Sequence, residues 1–305
     1  MTPSRLPRFK RDKNVHPIQI TDRDRAILSA VHEHRFLRSS HILTYVAGSS
    51  QQLLRRLHLL YHHGFLERPR AQLDYYHQGG SRPIIYGLGQ KGAQLLARER
   101  GVPLDAIEWG EKNRSVGTIY LEHALLVSDV MVAIEVACKQ HGIRFLKRTE
   151  LSPAANRDQT NPFRWKVNLN NSMALGVIPD NVFALDCAHT NGKSERAYFF
   201  LEADRGTMPV LRQNLLQTSM YRKFLAYEAT WSQSIHRARF GFHRFRVLVV
   251  TESSDRVNSL VEACSKLERG RGLFLFSEVE SVKKLGPLSA IWKCAYQVAP
   301  TRFWQ

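Results

Sequence analysis

The sequence predicts a two-domain α/β protein, in which a small domain of helices and a strand pair precedes a domain built around one mixed β-sheet. The chain has 305 residues, enough for two hydrophobic cores. Short amphipathic runs fill the first third, whereas the remainder alternates helical patterns with apolar runs of strand length. A segment without an apolar period, 101–117, separates these parts. The expected divisions are a basic leader at 1–17 and domains at 18–105 and 117–305.

Positive charge is the strongest compositional signal. The chain contains 44 Lys and Arg against 27 Asp and Glu, and its pI is about 10.0. A surplus of this size is typical of proteins that bind polyanions, and nucleic acid is the simplest candidate. We therefore expect double-stranded DNA as a partner, with single-stranded DNA as a further possibility.

Cysteine use and hydropathy indicate the compartment. The four cysteines lie far apart and form no C-x-x-C pair, which argues against a disulfide framework or a structural zinc site. No run approaches the 18 apolar residues of a membrane span, and the basic N-terminus has no apolar segment after it. These features predict a cytoplasmic protein that does not bind membranes.

Three short helices open the first domain. Thr21 and Asp24 form a capping-box pattern ahead of an apolar stripe, and Ser39 or Ser40 begins a second helix at 42–46. A third helix starts at Ser49-Ser50 and runs to about residue 63, where Gly64 closes it. Three helices with a turn between the last two describe a helix-turn-helix.

The polar face of the third helix is the candidate recognition surface. Its side chains have donors for phosphates and base edges: Gln51, Gln52, Arg55, Arg56, His58 and His62. Strand patterns at 65–68 and 84–88 follow, around a Gly-rich loop whose Arg82 suits a minor groove. A further helix, 90–100, completes the order of a winged-helix DNA-binding domain. The alternative is that this fold serves protein docking or dimerisation.

The basic leader, 1–17, has no periodicity. Its composition is compatible with a disordered, solvated segment or with an arm that lies along DNA phosphates.

The second domain begins with a long apolar helix, 118–138. Strand patterns and helix patterns follow it, with Pro near the first turn of the helix at 209–229. The predicted strands are 143–149, 163–169, 177–185, 197–202, 244–251 and 273–276, and the predicted helices are 209–229 and 255–267. This order predicts an α/β domain around one mixed sheet.

Two of these strands carry carboxylates. Pro179-Asp180 lies in the first, and the second ends in Glu202-Ala203-Asp204, with a polar turn at 188–195 between them. A hairpin brings such side chains to one place, and carboxylate oxygens are what a hard divalent cation requires. Strand-end carboxylates also cap helices or pair with Arg, so a purely structural role is the alternative.

The order of elements, with Pro-Asp on one strand and an acid on the next, resembles the PD-(D/E)xK restriction-endonuclease-like fold. More narrowly, the winged helix together with E-H-A-L-L-V-S-D-V, I-P-D-N-V-F-A-L, F-F-L-E-A-D-R-G-T and Y-R-K-F-L-A-Y resembles the replication-relaxation family. The resemblance covers about residues 20–276, and E-A-D-R-G-T is its most specific part. It implies a protein of plasmids or integrated elements, some of whose relatives act as relaxases that nick one DNA strand.

By this resemblance, Asp180 and Glu202 are expected to bind Mg²⁺ or Mn²⁺. The slot that holds Lys in the nuclease fold is Asp204 here, which cannot supply positive charge. Either Asp204 is a third metal ligand, or a cationic side chain elsewhere supplies the missing positive charge. The candidates for that cation are Arg205, Arg222 and Lys223.

Two tyrosines are candidate nucleophiles. Lys223 and Tyr227 lie at i and i+4 of one predicted helix and therefore share a face. Tyr227 or Tyr221 would form a covalent phosphotyrosine, as many relaxases do. Attack by water is the reading we favour, because a tyrosine on a core helix is usually a packing residue.

A second basic stretch, 231–246, contains no acid and interleaves Arg237 and Arg239 with aromatics. This composition suits phosphate contact with base stacking on an unpaired strand. The alternative is a loop whose aromatics are anchored in the core while its arginines are solvated.

The favoured function is Mg²⁺-dependent DNA nicking in transfer or replication of a mobile element. A non-catalytic, sequence-specific DNA-binding regulator with a degenerate nuclease fold is the alternative. A homodimer, and association with replication or mobilisation proteins, are further possibilities.

Overall fold

The computed structural model describes residues 8–12, 15–73, 82–100, 109–151, 161–170, 173–188, 194–296 and 303. The chain divides into two compact units, Met1–Asp129 and Val130–Gln305. The division falls inside a long helix, so the first unit extends beyond the segment in which the sequence places the boundary. Among the described helices, none is both long and apolar enough to span a membrane.

The first unit is a winged helix. Its described elements are α1 (Asp22–His34), β1 (Phe36–Arg38), α2 (Ser39–Tyr45), α3 (Ser50–His62), β2 (Leu66–Glu67), β3 (Ile85–Leu88), α4 (Gln90–Arg100), α5 (Trp109–Arg114) and the first part of α6 (Thr118–Gln140). The three strands form an antiparallel sheet in the order β1-β3-β2. This arrangement confirms the predicted helices and the strand pair, and adds β1, which is too short to leave a pattern in the sequence.

Local chemistry explains the ends of these helices. Thr21 caps α1, and its hydroxyl and backbone amide exchange hydrogen bonds with Asp24 in the predicted capping box. Gly64, directly after the end of α3, has a φ of +82°, a conformation that favours glycine over other residues. The apolar stripe of α3, Leu53, Leu57 and Leu60, is buried as the sequence predicts.

Two segments that the sequence leaves without structure are attached to this unit. Helix α5 lies inside the predicted linker, and its buried Asn113 donates from Nδ2 to the carbonyl of Leu88 at 3.1 Å. In the leader, Arg11 donates to the carbonyl of Tyr61 at 3.0 Å and to Glu67 at 2.8 Å. In the described part of the leader, Arg11 is thus bound to a buried glutamate, whereas Arg8 and Lys10 are exposed, so only part of this segment is solvated as one of the two alternatives expects.

The second unit is the predicted α/β domain around a central mixed sheet. Its described elements, after α6, are β4 (Arg144–Leu146), α7 (Arg148–Leu151), β5 (Trp165–Asn170), β6 (Met173–Val177), β7 (Asn181–Ala188), β8 (Ser194–Asp204), α8 (Met220–Ser232), α9 (Ile235–Phe240), β9 (Phe245–Thr251), α10 (Ser254–Ser265), β10 (Phe274–Glu278) and α11 (Val279–Leu285). Five strands form a mixed sheet in the order β10-β9-β8-β7-β4. Strands β4, β7 and β8 are antiparallel neighbours, whereas β9 and β10 run parallel to β8.

Several predicted elements have different bounds in the structure. The predicted strand 177–185 is interrupted at Pro179, which lacks an N–H, so β6 ends before it and β7 starts after Asp180. The predicted strand 143–149 ends at Leu146, because the Glu150 side chain accepts from the Lys147 amide and starts helix α7.

The predicted helix 209–229 begins only at Met220. Its first amides are bound by groups outside the helix: Met220 N–H donates to the carbonyl of Pro209, and Tyr221 N–H donates to that of Val210. The Ser219 hydroxyl accepts from the Arg222 amide as the N-cap. The loop between Asp204 and α8 therefore folds back onto the helix start.

Strands β5 and β6 form a separate two-stranded hairpin. Its inner face joins the core of the second unit through four buried side chains, which are Trp165, Val167, Leu175 and Val177. Helix α8 lies against the same core through Phe224 and Tyr227. This packing holds α8 beside the end of β8, the strand that carries Glu202.

Candidate functional site

The sheet register brings the predicted acidic residues to one edge. Glu202 and Asp204 are two positions apart on β8 and therefore point to the same face. Asn181 is paired with Leu201, which places Asp180 beside Glu202. The Asp180 carboxylate accepts from the Ala203 amide at 2.8 Å, and its own amide donates to the Leu201 carbonyl at 3.0 Å. The prediction that Pro179-Asp180 and Glu202-Ala203-Asp204 lie next to each other is confirmed for the backbone.

Glu202 lies at the centre of this cluster and is only 2% exposed. Lys223 Nζ donates to Oε2 at 2.5 Å, and the Tyr227 hydroxyl donates to Oε1 at 2.5 Å. Burial raises the pKa of Glu202, and the nearby Asp180 adds to this effect while Lys223 and Tyr227 oppose it. Both donors come from α8, one turn apart, as the i, i+4 spacing predicts.

Lys223 is the cation that the helix supplies to the acidic cluster. Burial would lower its pKa, but the charges of Glu202, Asp180 and Asp204 outweigh burial, so the pKa is raised. Its side chain is 34% exposed, whereas that of Glu202 is 3% exposed. The ammonium is therefore charged near neutral pH, and its side chain is more exposed than that of its partner.

Asp204, in the expected position of the lysine, has a cationic partner of its own. Arg256 donates from Nε to Oδ2 at 2.7 Å and from Nη2 to Oδ1 at 3.2 Å. Thr251 Oγ1 donates to Oδ2 at 3.3 Å, and the Gly206 amide donates to Oδ1 at 3.2 Å. This bidentate pair neutralises Asp204 and disfavours it as a third metal ligand.

Tyr227 is 1% exposed, and burial followed by the charge of Glu202 raises its pKa. A buried hydroxyl that donates to a carboxylate is poorly placed to attack a phosphodiester. Tyr221 is partly exposed, and its hydroxyl lies 3.5 Å from the carbonyl of Lys266. The geometry therefore gives Tyr227 the role of orienting Glu202.

The described residues contain no group of three or more His, Cys, Asp or Glu side chains placed to hold a metal ion. Asp180 and Glu202 remain as a two-carboxylate set. Mg²⁺ is commonly held by one or two carboxylates together with waters and substrate phosphates. An ionised carboxylate has about four lone-pair positions, so Glu202 retains acceptor capacity beside Lys223 and Tyr227. The donor set therefore fits a magnesium ion that keeps most of its water.

The candidate recognition helix α3 has two kinds of polar residue. Gln51, Gln52 and Arg55 are exposed. Arg56 instead donates to both oxygens of Asp24, at 2.7 and 2.6 Å, and Asp24 is completely buried. These bonds stabilise the winged helix whether or not DNA is present.

The histidines of α3 also have partners within the unit. His58 lies 3.0 Å from Arg68 Nη2 and 3.2 Å from His62 Nε2. His62 is buried, and its Nδ1 accepts from the Asp12 amide. A DNA-contacting role for Arg56 and His58 stays a prediction, and it competes with these internal contacts.

The structure places Arg82 among exposed residues before β3, whereas the Gly-rich loop before it, 74–81, lies outside the described residues. In the stretch 231–246, Arg237 is exposed and Arg239 is partly buried. The aromatics of this stretch are mostly internal, since Phe240, Phe242 and Phe245 are buried and Trp231 is 40% exposed. The expectation that they stack on unpaired bases is therefore wrong for the three phenylalanines, which belong to the core.

Sequence reasoning missed Arg256 and Thr251. Thr251 is paired in register with Asp204 across β8 and β9, and Arg256 lies in the first turn of the helix after β9. No motif marks either residue. The usable signal is the parallel pairing of β8 with β9, which places the chain after Thr251 beside the end of the acidic strand.

Comparison with known proteins agrees with this architecture. The model of the replication-relaxation family matches residues 28–244, which include the winged helix from the middle of α1 onward, β8 and helix α8. No curated protein and no solved structure matches the chain. Since the match covers more than half of the 305 residues, the chain belongs to the replication-relaxation family.

Proposed function

We propose that this protein nicks DNA at a mobile-element origin, with Asp180, Glu202 and Lys223 as the residues that act on the phosphodiester. The observation that carries the proposal is the contact between Lys223 and Glu202 at 2.5 Å. It supplies, from a helix, the positive charge that the nuclease fold ordinarily has at the position of Asp204. A lysine thus lies beside the acidic residues of the two strands, although the sequence has Asp204 where the PD-(D/E)xK pattern has its lysine.

The carboxylates of the cluster support a bound cation. A phosphodiester is an anion and is repelled by the carboxylates of Asp180 and Glu202. A divalent cation held by these two side chains offsets that repulsion. We therefore include Mg²⁺, or Mn²⁺ in its place, in the proposal.

Each residue has a defined task. A bound Mg²⁺ supplies Lewis-acid polarisation and a water of lowered pKa. Lys223, whose ammonium has three N–H donors, stabilises the charge that develops on a phosphate oxygen. Tyr227 fixes the rotamer of Glu202, and the Ala203 amide fixes that of Asp180. Water is the nucleophile we propose, because the Tyr227 hydroxyl is buried.

The winged helix supplies the means of finding DNA. Gln51, Gln52 and Arg55 are exposed on one helix and have donors suited to base edges and phosphates. The large positive net charge favours duplex DNA as the partner. A first domain that binds the duplex and a second that cuts it are consistent with the family's name.

Nicking of supercoiled plasmid tests the proposal. Plasmid carrying the origin of the protein's own element is incubated with Mg²⁺ or Mn²⁺ and either wild type or Asp180→Asn. Asp186→Asn is the matched control, because Asp186 lies on β7 and pairs with Arg196 on β8, away from Glu202. We expect open circles from wild type and control but not from Asp180→Asn. Equal nicking by all three, or intact plasmid with all three despite binding, contradicts the proposal.

A second candidate function is that of a non-catalytic DNA-binding regulator. It is favoured by one observation: both oxygens of Glu202 and both oxygens of Asp204 already accept hydrogen bonds from side chains of the protein. A cluster satisfied in this way can hold α8 and α10 on the sheet without any chemistry. Calorimetric titration with Mn²⁺ separates the two functions. A nickase is expected to give a binding heat that disappears in Asp180→Asn, whereas a non-catalytic regulator is expected to give no binding heat with either protein.

A further inference from the structure

The outer face of the β5–β6 hairpin is exposed and has an unusual composition. Lys166 is paired with Gly176, and Asn168 is paired with Ala174, and all four are exposed. A side chain added at Gly176 would meet no atom within 4 Å. The face therefore consists of two polar side chains on β5 opposite two small residues on β6.

The hairpin is firmly held from behind. The indole N–H of Trp165 donates to Thr230 Oγ1 at 2.9 Å, and its ring contacts Tyr227 with centroids 6.2 Å apart. The Gln233 side chain donates to the Asn168 carbonyl at 2.6 Å. The inner face is thus held against α8, and the outer face of both strands is exposed to solvent.

Positive charge surrounds this ribbon. Exposed Arg164 precedes β5, and Arg239 of α9 donates to its backbone carbonyl at 3.0 Å, which brings the basic stretch 231–246 to the same place. Neither 161–179 nor 231–246 contains an Asp or Glu residue. These two segments contribute cations and no anions, which suits contact with a polyanion.

We propose that the outer face of the β5–β6 hairpin binds duplex DNA in the major groove. The groove is about 12 Å wide and admits a two-stranded β-ribbon. Gly176 and Ala174 let the ribbon approach closely, Arg164 and Lys166 contact phosphates, and the Asn168 amide meets base edges. The proposal takes DNA as the partner from the proposed function, and the contact itself does not require that the DNA be cut.

The position of the ribbon gives this contact a purpose. Only Ile178 and Pro179 separate the end of β6, Val177, from Asp180. Three residue steps span at most about 10 Å. A duplex held on the ribbon is therefore presented to the acidic cluster, so the hairpin positions the strand that is cut.

Salt-dependent binding of the full-length chain tests the proposal. The probes are a labelled 30-base-pair duplex of random sequence and a single strand of the same length, measured by fluorescence anisotropy between 50 and 200 mM salt. Arg164→Ala/Lys166→Ala is compared with Lys283→Ala/Lys284→Ala, which removes the same charge from exposed positions on α11. Loss of two phosphate contacts makes the negative slope of log affinity against log salt shallower by about 1.8. Between 50 and 200 mM salt the variant therefore loses about tenfold less affinity than wild type does.

We expect that change on the duplex for the hairpin variant and none for the α11 control. Ala174→Asp, which places a negative charge on the same exposed face, is expected to weaken duplex binding at least tenfold at 100 mM salt while leaving the circular dichroism spectrum unchanged. Equal slopes in all proteins, an equal change in the control, or a change confined to the single strand overturns the proposal. If the wild-type protein does not nick plasmid but its duplex binding depends on the hairpin as expected, the hairpin proposal is supported and the proposed nicking activity is contradicted.

Discussion

At the scale of single residues, Glu202 is a buried carboxylate whose two oxygens both accept hydrogen bonds from side chains of one helix. It is 2% exposed, and it accepts from Lys223 and Tyr227 at 2.5 Å each. An unpaired charge at this depth would be strongly destabilising, so the lysine and the tyrosine stabilise the fold whether or not the protein cuts DNA. Variants at these positions therefore need a measurement of stability beside any measurement of activity.

Tyr227→Phe removes one hydrogen bond to a charged group and keeps the ring in the core. We expect the free energy of unfolding to fall by about 1.5–3 kcal/mol, as measured by urea denaturation. The matched control is Tyr221→Phe, because the Tyr221 hydroxyl makes only a contact of 3.5 Å to a backbone carbonyl. Equal stability of Tyr227→Phe and wild type would contradict the bond to Glu202.

Variants of two neighbouring arginines of α3 are expected to affect different properties, namely DNA binding for Arg55 and stability for Arg56. Arg55 is exposed, so Arg55→Ala is expected to lower the salt slope of duplex binding by about 1 without changing stability. Arg56→Ala leaves the buried Asp24 without its cation and is expected to cost about 3 kcal/mol of unfolding free energy. Chemical denaturation and anisotropy on the same two variants check both statements, and a loss of stability in Arg55→Ala would contradict the first.

At the scale of elements, helix α6 is joined to the winged helix by polar bonds as well as apolar packing. The Ser128 hydroxyl donates to the carbonyl of Phe36 at 2.7 Å, and Asp129 accepts from Arg38 and His41 at 3.1 and 3.0 Å. Leu121 and Leu125 pack in the same cluster as Phe36. The segment E-H-A-L-L-V-S-D-V, which marks the family in the sequence, thus has a structural role at β1 and the start of α2.

Acid is expected to destabilise this junction. Burial opposes ionisation of Asp129, but the bonds and charges of His41 and Arg38 outweigh burial and lower its pKa. A carboxyl group with a lowered pKa stabilises the fold above its unfolded value of about 3.9, and this stabilisation is lost as the pH falls below that value. We expect the melting temperature to drop below pH 4 by more in wild type than in Asp129→Asn. Parallel pH profiles of the two proteins would contradict this assignment.

The sequence predicted elements with strong local signals and failed where the deciding partner is distant. The capping box at Thr21 and the apolar stripe of α3 are local, and both are confirmed. Helix α8 starts eleven residues later than predicted, because the carbonyls of Pro209 and Val210 bind its first amides. The partners of Asp180, Glu202 and Asp204 come from α8, α10 and the adjacent backbone, and no spacing rule links those segments.

At the scale of the whole molecule, we propose that the two units divide the binding and the cutting of DNA between them. The winged helix presents Gln51, Gln52 and Arg55, while the sheet domain holds Asp180, Glu202 and Lys223 at the end of its central strand. The positive net charge serves both. Binding is therefore expected to survive substitutions in the acidic cluster, and cutting is expected to fail in them.

The central claim is that Lys223, supplied by a helix, replaces the lysine that the acidic strand lacks. The most direct measurement is the nicking rate of Lys223→Gln on supercoiled plasmid carrying the cognate origin, under single-turnover conditions with Mg²⁺. Removing one donor that stabilises developing charge typically lowers a rate about 10²–10³-fold. We expect a loss of that size with duplex affinity unchanged and with a cooperative thermal transition retained. A nicking rate equal to that of wild type would show that Lys223 only neutralises Glu202.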